Sequence, residues 1–288
     1  MDEFAVLSRL TPASRSTLCQ FGLAIDTIAF GVTNPGAAPA ADNTTIAGGD
    51  SKTVRNFNPA SRARLDWVAR QGVTAGFVGL KSPRFHDVSR GLQWILTETP
   101  AGVLMPRETG QPVYGADVLQ ITVSGGAAEI DGGAASIYYY DIGGIAALLK
   151  NPGDILPNIV NIKPTEVDCA VSAVANAWVD TAVNATENLL KANTWYAVLG
   201  YETDTAAGAV GVKGPETGNL RVCGPAVASG LTVADYFVEM SLRHGTPYIP
   251  IFNANNRGNF FVCINTIAVA GTIKVTLNLA ELVGSFQP

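Results

Sequence analysis

From residue 273 to 279 the chain reads Ile-Lys-Val-Thr-Leu-Asn-Leu, so Ile273, Val275, Leu277 and Leu279 share one parity while Lys274, Thr276 and Asn278 share the other. Successive side chains of a β-strand point to opposite faces, and this segment is therefore read as a strand with one face on a core and one toward solvent. The same alternation marks further strands at 17–32, 68–80, 92–99, 118–124, 135–140, 196–201 and 248–252. Between them fall turn clusters such as Asn34-Pro35-Gly36, Ser124-Gly125-Gly126, Asp131-Gly132-Gly133 and Lys213-Gly214-Pro215. The apolar run 259–270 is parted from 273–279 by Gly271-Thr272, which predicts a hairpin. Many short strands with Gly/Pro-rich turns and few helical stretches predict antiparallel sandwiches, not a βαβ parallel sheet.

Three helices are expected. The first is a short amphipathic one carrying Phe4, Leu7 and Leu10, ended by Thr11-Pro12. The second covers 165–190, where Val167, Val171, Val174, Trp178 and Ala182 recur at helical spacing, with a pair of strands as the alternative. The third covers 233–243 and closes on His244-Gly245, the expected glycine stop. The best boundary is 150–165, which holds Pro152, Pro157 and Pro164 among several Asn and Gly. The expected organisation is an N-terminal arm at 1–16, a first β-sandwich at 17–150, a linker at 151–165 and a second β-sandwich at 166–288. Each half suits a sandwich of about eight strands. No sequence repeat relates the halves, so a duplication would have to be structural.

Asp, Glu, Lys and Arg together are 15% of the 288 residues, against about 25% in an ordinary soluble domain. Yet 47% of the residues are hydrophobic, and no apolar stretch reaches the roughly 20 residues that a membrane helix requires. Such a composition implies faces covered by other subunits. The opening Met1-Asp2-Glu3 is acidic where a secretory signal is basic, which predicts synthesis in a cytoplasm. The net charge of −5 argues against a protein held to nucleic acid by charge alone. One stretch departs from this average. Lys52, Arg55, Arg62, Arg64, Arg70, Lys81, Arg84 and Arg90 face only Asp66 and Asp87 in 52–90. Arg55, Arg62, Arg64, Arg70, Arg84 and Arg90 are thus candidates for a subunit interface, where Arg is enriched, or for nucleic-acid contact.

Catalytic readings find no support. The sequence has no G-x-S-x-G, H-E-x-x-H or Walker pattern, nor a G-x-G-x-x-G placed between strand and helix. His86 and His244 have no partner at metal-ligand spacing, and His244 is expected to cap a helix or lie at the surface. Cys19, Cys169, Cys223 and Cys263 are far apart and read as isolated buried thiols. Asp131, Asp141, Glu202 and Asp204 lack the close spacing of a calcium loop. No enzyme activity, cofactor, metal or small-molecule substrate is expected.

The stretches Trp195-Tyr196-Ala197-Val198-Leu199-Gly200-Tyr201, Gly214-Pro215-Glu216-Thr217-Gly218-Asn219-Leu220-Arg221-Val222 and Pro247-Tyr248-Ile249-Pro250-Ile251-Phe252-Asn253 give the chain its family character. It resembles capsid and coat proteins of prokaryotic viruses, particularly those in which two jelly rolls stand side by side. A single jelly roll with a smaller β domain, as in decoration or tail proteins, is the alternative. The resemblance implies a virion protein made in a host cytoplasm and assembled into a shell through trimeric capsomers. Its partners would be further copies of itself, other virion proteins and weakly the genome. The competing class is a carbohydrate-binding sandwich on a fibre, in which Tyr138, Tyr139 and Tyr140 would be exposed to stack on sugars. Under the capsid reading the arm tethers neighbours or faces the shell interior. Deleting residues 2–12 is expected to leave a folded, soluble subunit that assembles poorly, and normal particles from that truncation, seen by electron microscopy, would disprove the arm's role.

Overall fold

The computed structural model describes residues 23–35, 51–57, 62–71, 76–83, 92–96, 101–104, 111–124, 128–140, 149–174, 176–183, 190–205, 207–226, 234–266 and 270–288. The expected N-terminal helix and arm lie outside them. The first half of the chain supplies β1 (Leu23–Pro35), β2 (Ser51–Thr53), β3 (Arg62–Gln71), β4 (Gly76–Lys81), β5 (Leu92–Leu96), β6 (Ala101–Leu104), β7 (Gln111–Val113), β8 (Val118–Ser124) and β9 (Ala128–Tyr140). The second supplies β10 (Leu149–Lys150), helix α1 (Pro152–Ile155), β11 (Ile159–Val171), β12 (Trp178–Ala182), β13 (Trp195–Thr203), β14 (Ala209–Lys213), β15 (Val222–Pro225), helix α2 (Tyr236–His244), β16 (Ile249–Asn253), β17 (Phe261–Asn265) and β18 (Gly271–Leu282).

Each half is a pair of antiparallel sheets. In the first, β1-β9-β3-β6, with β7 also on β3, faces β2-β8-β4-β5. In the second, β10-β16-β13-β18-β11 faces β12-β17-β14-β15. Setting aside the short β7 and β10, both halves follow one path. The first, eighth, third and sixth strands share a sheet, and the second, seventh, fourth and fifth share the other. This is jelly-roll connectivity, and it occurs twice. The fold is mainly β, two antiparallel sandwiches with few and short helices.

The alternation read in the sequence explains the cores. Along β18, Ile273, Val275, Leu277 and Leu279 are buried, and on β11 so are Cys169, Val167 and Thr165, opposite the first three in turn, and Val171 beyond them. Phe252 and Phe260 stack inside the second sandwich with ring centroids 4.2 Å apart. The first sandwich closes on Phe30, Leu65, Val68, Leu80, Leu119, Ile137 and Tyr139. Each large apolar side chain so buried contributes about 1.5–3 kcal/mol. Helix α2 packs on β13 and β16, and it ends where Gly245 turns left-handed at φ 65°.

Several expectations are corrected. Segment 165–190 contains β11 and β12, not a helix, because Val167 and Val171 are four apart and so satisfy a helical turn and a strand face equally. Segment 151–165 is no free linker: β11 starts at Ile159, and Leu149 already pairs with Pro250. The hairpin predicted across Gly271-Thr272 does not form. β17 pairs with β12 and β14, whereas β18 pairs with β11 and β13, so the chain crosses between sheets there. Asp131-Gly132-Gly133 lies within β9, where Gly132 is paired with Gly31 on one side and Gln71 on the other.

Gly224 shows how tightly the second sandwich is closed. A Cβ there would collide with the Tyr201 hydroxyl and come within 2.6 Å of the Tyr236 ring. Overpacking of this kind costs about 1–3 kcal/mol. Gly224→Ala is therefore expected to lower the unfolding free energy from urea titration by that amount, and its midpoint with it, whereas Gly153→Ala, whose Cβ would meet nothing within 4 Å, changes stability little. Equal midpoints for the two variants would contradict this packing.

Candidate functional site

The two sandwiches meet along a seam, and polar groups lie at its centre. β3 pairs with β9 through Leu65 opposite Ile137 and then Trp67 opposite Ser136, so Asp66 is an extra residue, a β-bulge. A bulge re-aims side chains. Here it leaves Leu65 and Val68 in the first sandwich's core while Trp67 joins the cluster shared with the second half. Asp66 is 1% exposed, and its partners come from both halves. Arg64 Nε donates to its Oδ1 at 3.2 Å, and the Tyr248 hydroxyl donates to its Oδ2 at 3.1 Å. His244 Nε2 lies 3.6 Å from Oδ1, within ion-pair range when the imidazole is protonated. The Arg64 guanidinium lies 4.7 Å over the Tyr138 ring, and Tyr138 and His244 each stack with Tyr248.

Burial pushes the Asp66 carboxyl above its usual range, against the opposing pull of Arg64 and the Tyr248 hydrogen bond. Removing one partner of such a buried pair costs about 3–5 kcal/mol, because the other charge is left uncompensated. Burial likewise raises Tyr201, Tyr236 and Tyr248 well above the ordinary tyrosine value of 10.0. The described contacts of this arrangement join the two halves of the chain. Its chemistry is that of a clasp.

A second feature opens where β1 meets the four-stranded sheet of the second sandwich. Asp26, Thr27, Ile28, Ala29, Lys52, Thr53 and Arg55 of the first half and Asn176, Trp178 and Arg221 of the second line an open cleft of about 260 Å³. Arg55 Nε pairs with Asp26 at 2.7 Å, and Thr27 Oγ1 donates to the Arg221 carbonyl at 3.2 Å. Arg221 donates to Asp180 through Nε and Nη2 at 3.3 and 2.9 Å, with Lys213 on the same carboxylate at 3.1 Å. Its guanidinium lies 4.8 Å over the Trp178 ring. Burial tends to raise Asp180, but hydrogen bonds from Cys263, Arg221 and Lys213 outweigh it and hold the carboxyl below its usual value. For Asp26 burial prevails over Arg55, and the carboxyl is raised. Asn176 is held at φ 59° because its loop is pinned to the end of β17: Thr266 Oγ1 donates to Val174 O and accepts from Ala177 N. Gly31 leaves room for the Asn176 amide against β1.

Of the six arginines singled out in the sequence, Arg55 borders the cleft and Arg64 is buried in the seam, facing the chain's own second half. Arg62 and Arg70 lie in β3, and Arg84 and Arg90 fall outside the described residues. His244 is buried at the end of α2, not at the surface. Tyr138 and Tyr139, which the carbohydrate-binding alternative needs exposed for stacking, are 2% and 0% exposed and pack within the protein. Cys169, Cys223 and Cys263 are free and buried, as their isolation suggested, and Cys19 lies outside the described residues. Among the described residues, no three His, Cys, Asp or Glu converge as a metal site would require. Asp66 and Trp178 were missed as site residues, since they acquire their roles only from pairing across the two halves; Arg221 stands with Lys213 in the glycine-rich stretch 208–224, which could suggest a phosphate cradle but reads in the sequence as an exposed loop between strands.

The buried tyrosines make the seam sensitive to alkali. Above pH 10 the unfolded chain loses their protons while the native chain keeps them, so the native state binds more protons and stability falls as pH rises, by roughly 1 kcal/mol per pH unit for each tyrosine. Denaturant titrations at pH 9 and 11 are expected to show this fall, and a shallower one in Tyr236→Phe. A flat profile would refute it. Compared with known protein families and with curated protein sequences, the chain matches none of either.

Proposed function

We propose that this chain is a virion structural protein, a major capsid protein whose copies form a shell through trimeric capsomers. One observation carries the reading. The five-stranded sheet of the first sandwich is covered on its outer side by β15 and the seam residues of the second, as Ile25, Trp67, Ala69, Ala134 and Tyr138 join the core cluster of the second half. The second sandwich has the same connectivity, yet among the described residues its equivalent first strand, β11, is an open edge with Val160 and Ile162 exposed at 60% and 44% beside exposed Leu156. An apolar edge strand is a liability unless something covers it. A further copy of the chain would cover it, and a head-to-tail contact repeated from copy to copy makes a ring when the rotation closes.

The low charge content supports the same reading, because surfaces buried between subunits are depleted in charge. No catalytic constellation competes with it among the described residues. The carbohydrate-binding alternative is weakened by the burial of Tyr138 and Tyr139. A decoration, tail or fibre protein would share the sandwiches but need not form a shell by itself.

The paired substitution Val160→Asp and Ile162→Asp tests the proposal. The variant is expected to keep its near-ultraviolet circular dichroism while needing at least tenfold more protein to form trimers or shells, followed by light scattering and electron microscopy. A wild-type chain that stays a 30.0 kDa monomer at every concentration, or a variant that assembles normally, would overturn it.

A further inference from the structure

We propose that the cleft between β1 and the second sandwich is a binding site for a phosphate-class oxyanion, bridging the two halves of the chain. The argument begins with charge. Three cations, Lys52, Arg55 and Arg221, and one carboxylate, Asp26, line the cleft, an excess of two positive charges in a protein whose net charge is −5, and the Lys213–Asp180 pair bonded to Arg221 adds no net charge. Asp26 serves Arg55, while Asp180 is shared between Arg221 and Lys213. Lys52 has no carboxylate partner among the described residues.

Donors also outnumber acceptors. An arginine carries five N–H groups. The described bonds use Nε of Arg55 and Nε and Nη2 of Arg221, so both side chains retain donors for an incoming anion. Asn176 and Thr53, both with polar side chains, line the same opening. The guanidiniums are also fixed before any ligand arrives: Arg55 is anchored by a nearly buried carboxylate, and Arg221 by Asp180 and the face of Trp178. Arginine forks held in place match the geometry of phosphate oxygens, and a lysine adds a mobile point charge.

Size narrows the ligand. About 260 Å³ is below the roughly 300–1,000 Å³ of sites that enclose a drug-sized molecule, so the cleft suits one phosphate group with little attached. One face of the Trp178 ring is already engaged by Arg221, which leaves less of it to serve a nucleobase. Because Lys52 and Arg55 belong to the first sandwich and Asn176 and Arg221 to the second, an occupant ties the halves together. It stabilises the folded chain in proportion to its occupancy. The site does not depend on whether the chain builds a shell.

The test uses the full chain and inorganic phosphate, titrated by calorimetry and by thermal melting against chloride at matched ionic strength. Phosphate is expected to bind and to raise the melting temperature. Lys52→Ala is expected to weaken binding at least tenfold and Lys52→Glu to abolish it, both without changing the melting temperature in chloride, whereas Lys81→Ala binds as the wild type does. A short oligothymidylate then distinguishes the source. Displacement of bound phosphate identifies a phosphodiester as the natural ligand, and its failure identifies free phosphate. No heat and no stabilisation by phosphate in the wild-type chain, or wild-type binding by both Lys52 variants, would overturn the proposal.

Discussion

A single carboxylate holds the two halves of this protein in register. Asp66 is buried where one sheet's outer side meets the other sandwich, and it accepts hydrogen bonds from Arg64 of its own strand and from Tyr248, which is 182 residues away. Burying that charge is unfavourable unless every partner is in place, so the seam tolerates one arrangement and penalises others. The surrounding rings give the contact area: Trp67, Tyr138, Tyr236 and Tyr248 are all enclosed, with His244 stacked on the last. Apolar burial supplies most of the adhesion and the carboxylate supplies its specificity.

The sequence reveals the strands more clearly than their partners. Alternation at 273–279 is enough to identify a strand and its buried face, because side-chain direction is a local property. Which strand lies alongside is not. The hairpin expected at Gly271 failed for that reason: a short turn between two strands looks the same whether they pair or cross to opposite sheets. Segment 165–190 misled through arithmetic, since a spacing of four fits both periods, and Glu166, Asp168 and Ala170 between the buried residues were the better clue. The duplicated connectivity left no trace of identity between the halves, because a jelly roll demands a pattern of inward residues and not particular ones.

The candidate sites were still less legible. The excess of arginine at 52–90 was visible, but the sequence placed Arg55 and Arg64 in one class, and the structure separates them into a cleft wall and a buried clasp. The bulge that makes the difference depends on how β3 lines up with β9, 70 residues later. Likewise Arg221 looked like an ordinary strand residue, and Trp178 like part of a helix face. Only the approach of β1, through Asp26 and Thr27, turns them into one side of an opening.

The polar character of the seam also bears on how the chain is made. The first sandwich is synthesised before Tyr248 and His244 exist, and for that interval its outer sheet face has no cover. A wholly greasy face would then be an invitation to stick to other nascent chains. With Arg64 and Asp66 at its centre, the uncovered face can be wetted and remain dissolved until the second sandwich arrives to exclude the water. The buried ion pair thus lets an unfinished protein wait for its other half.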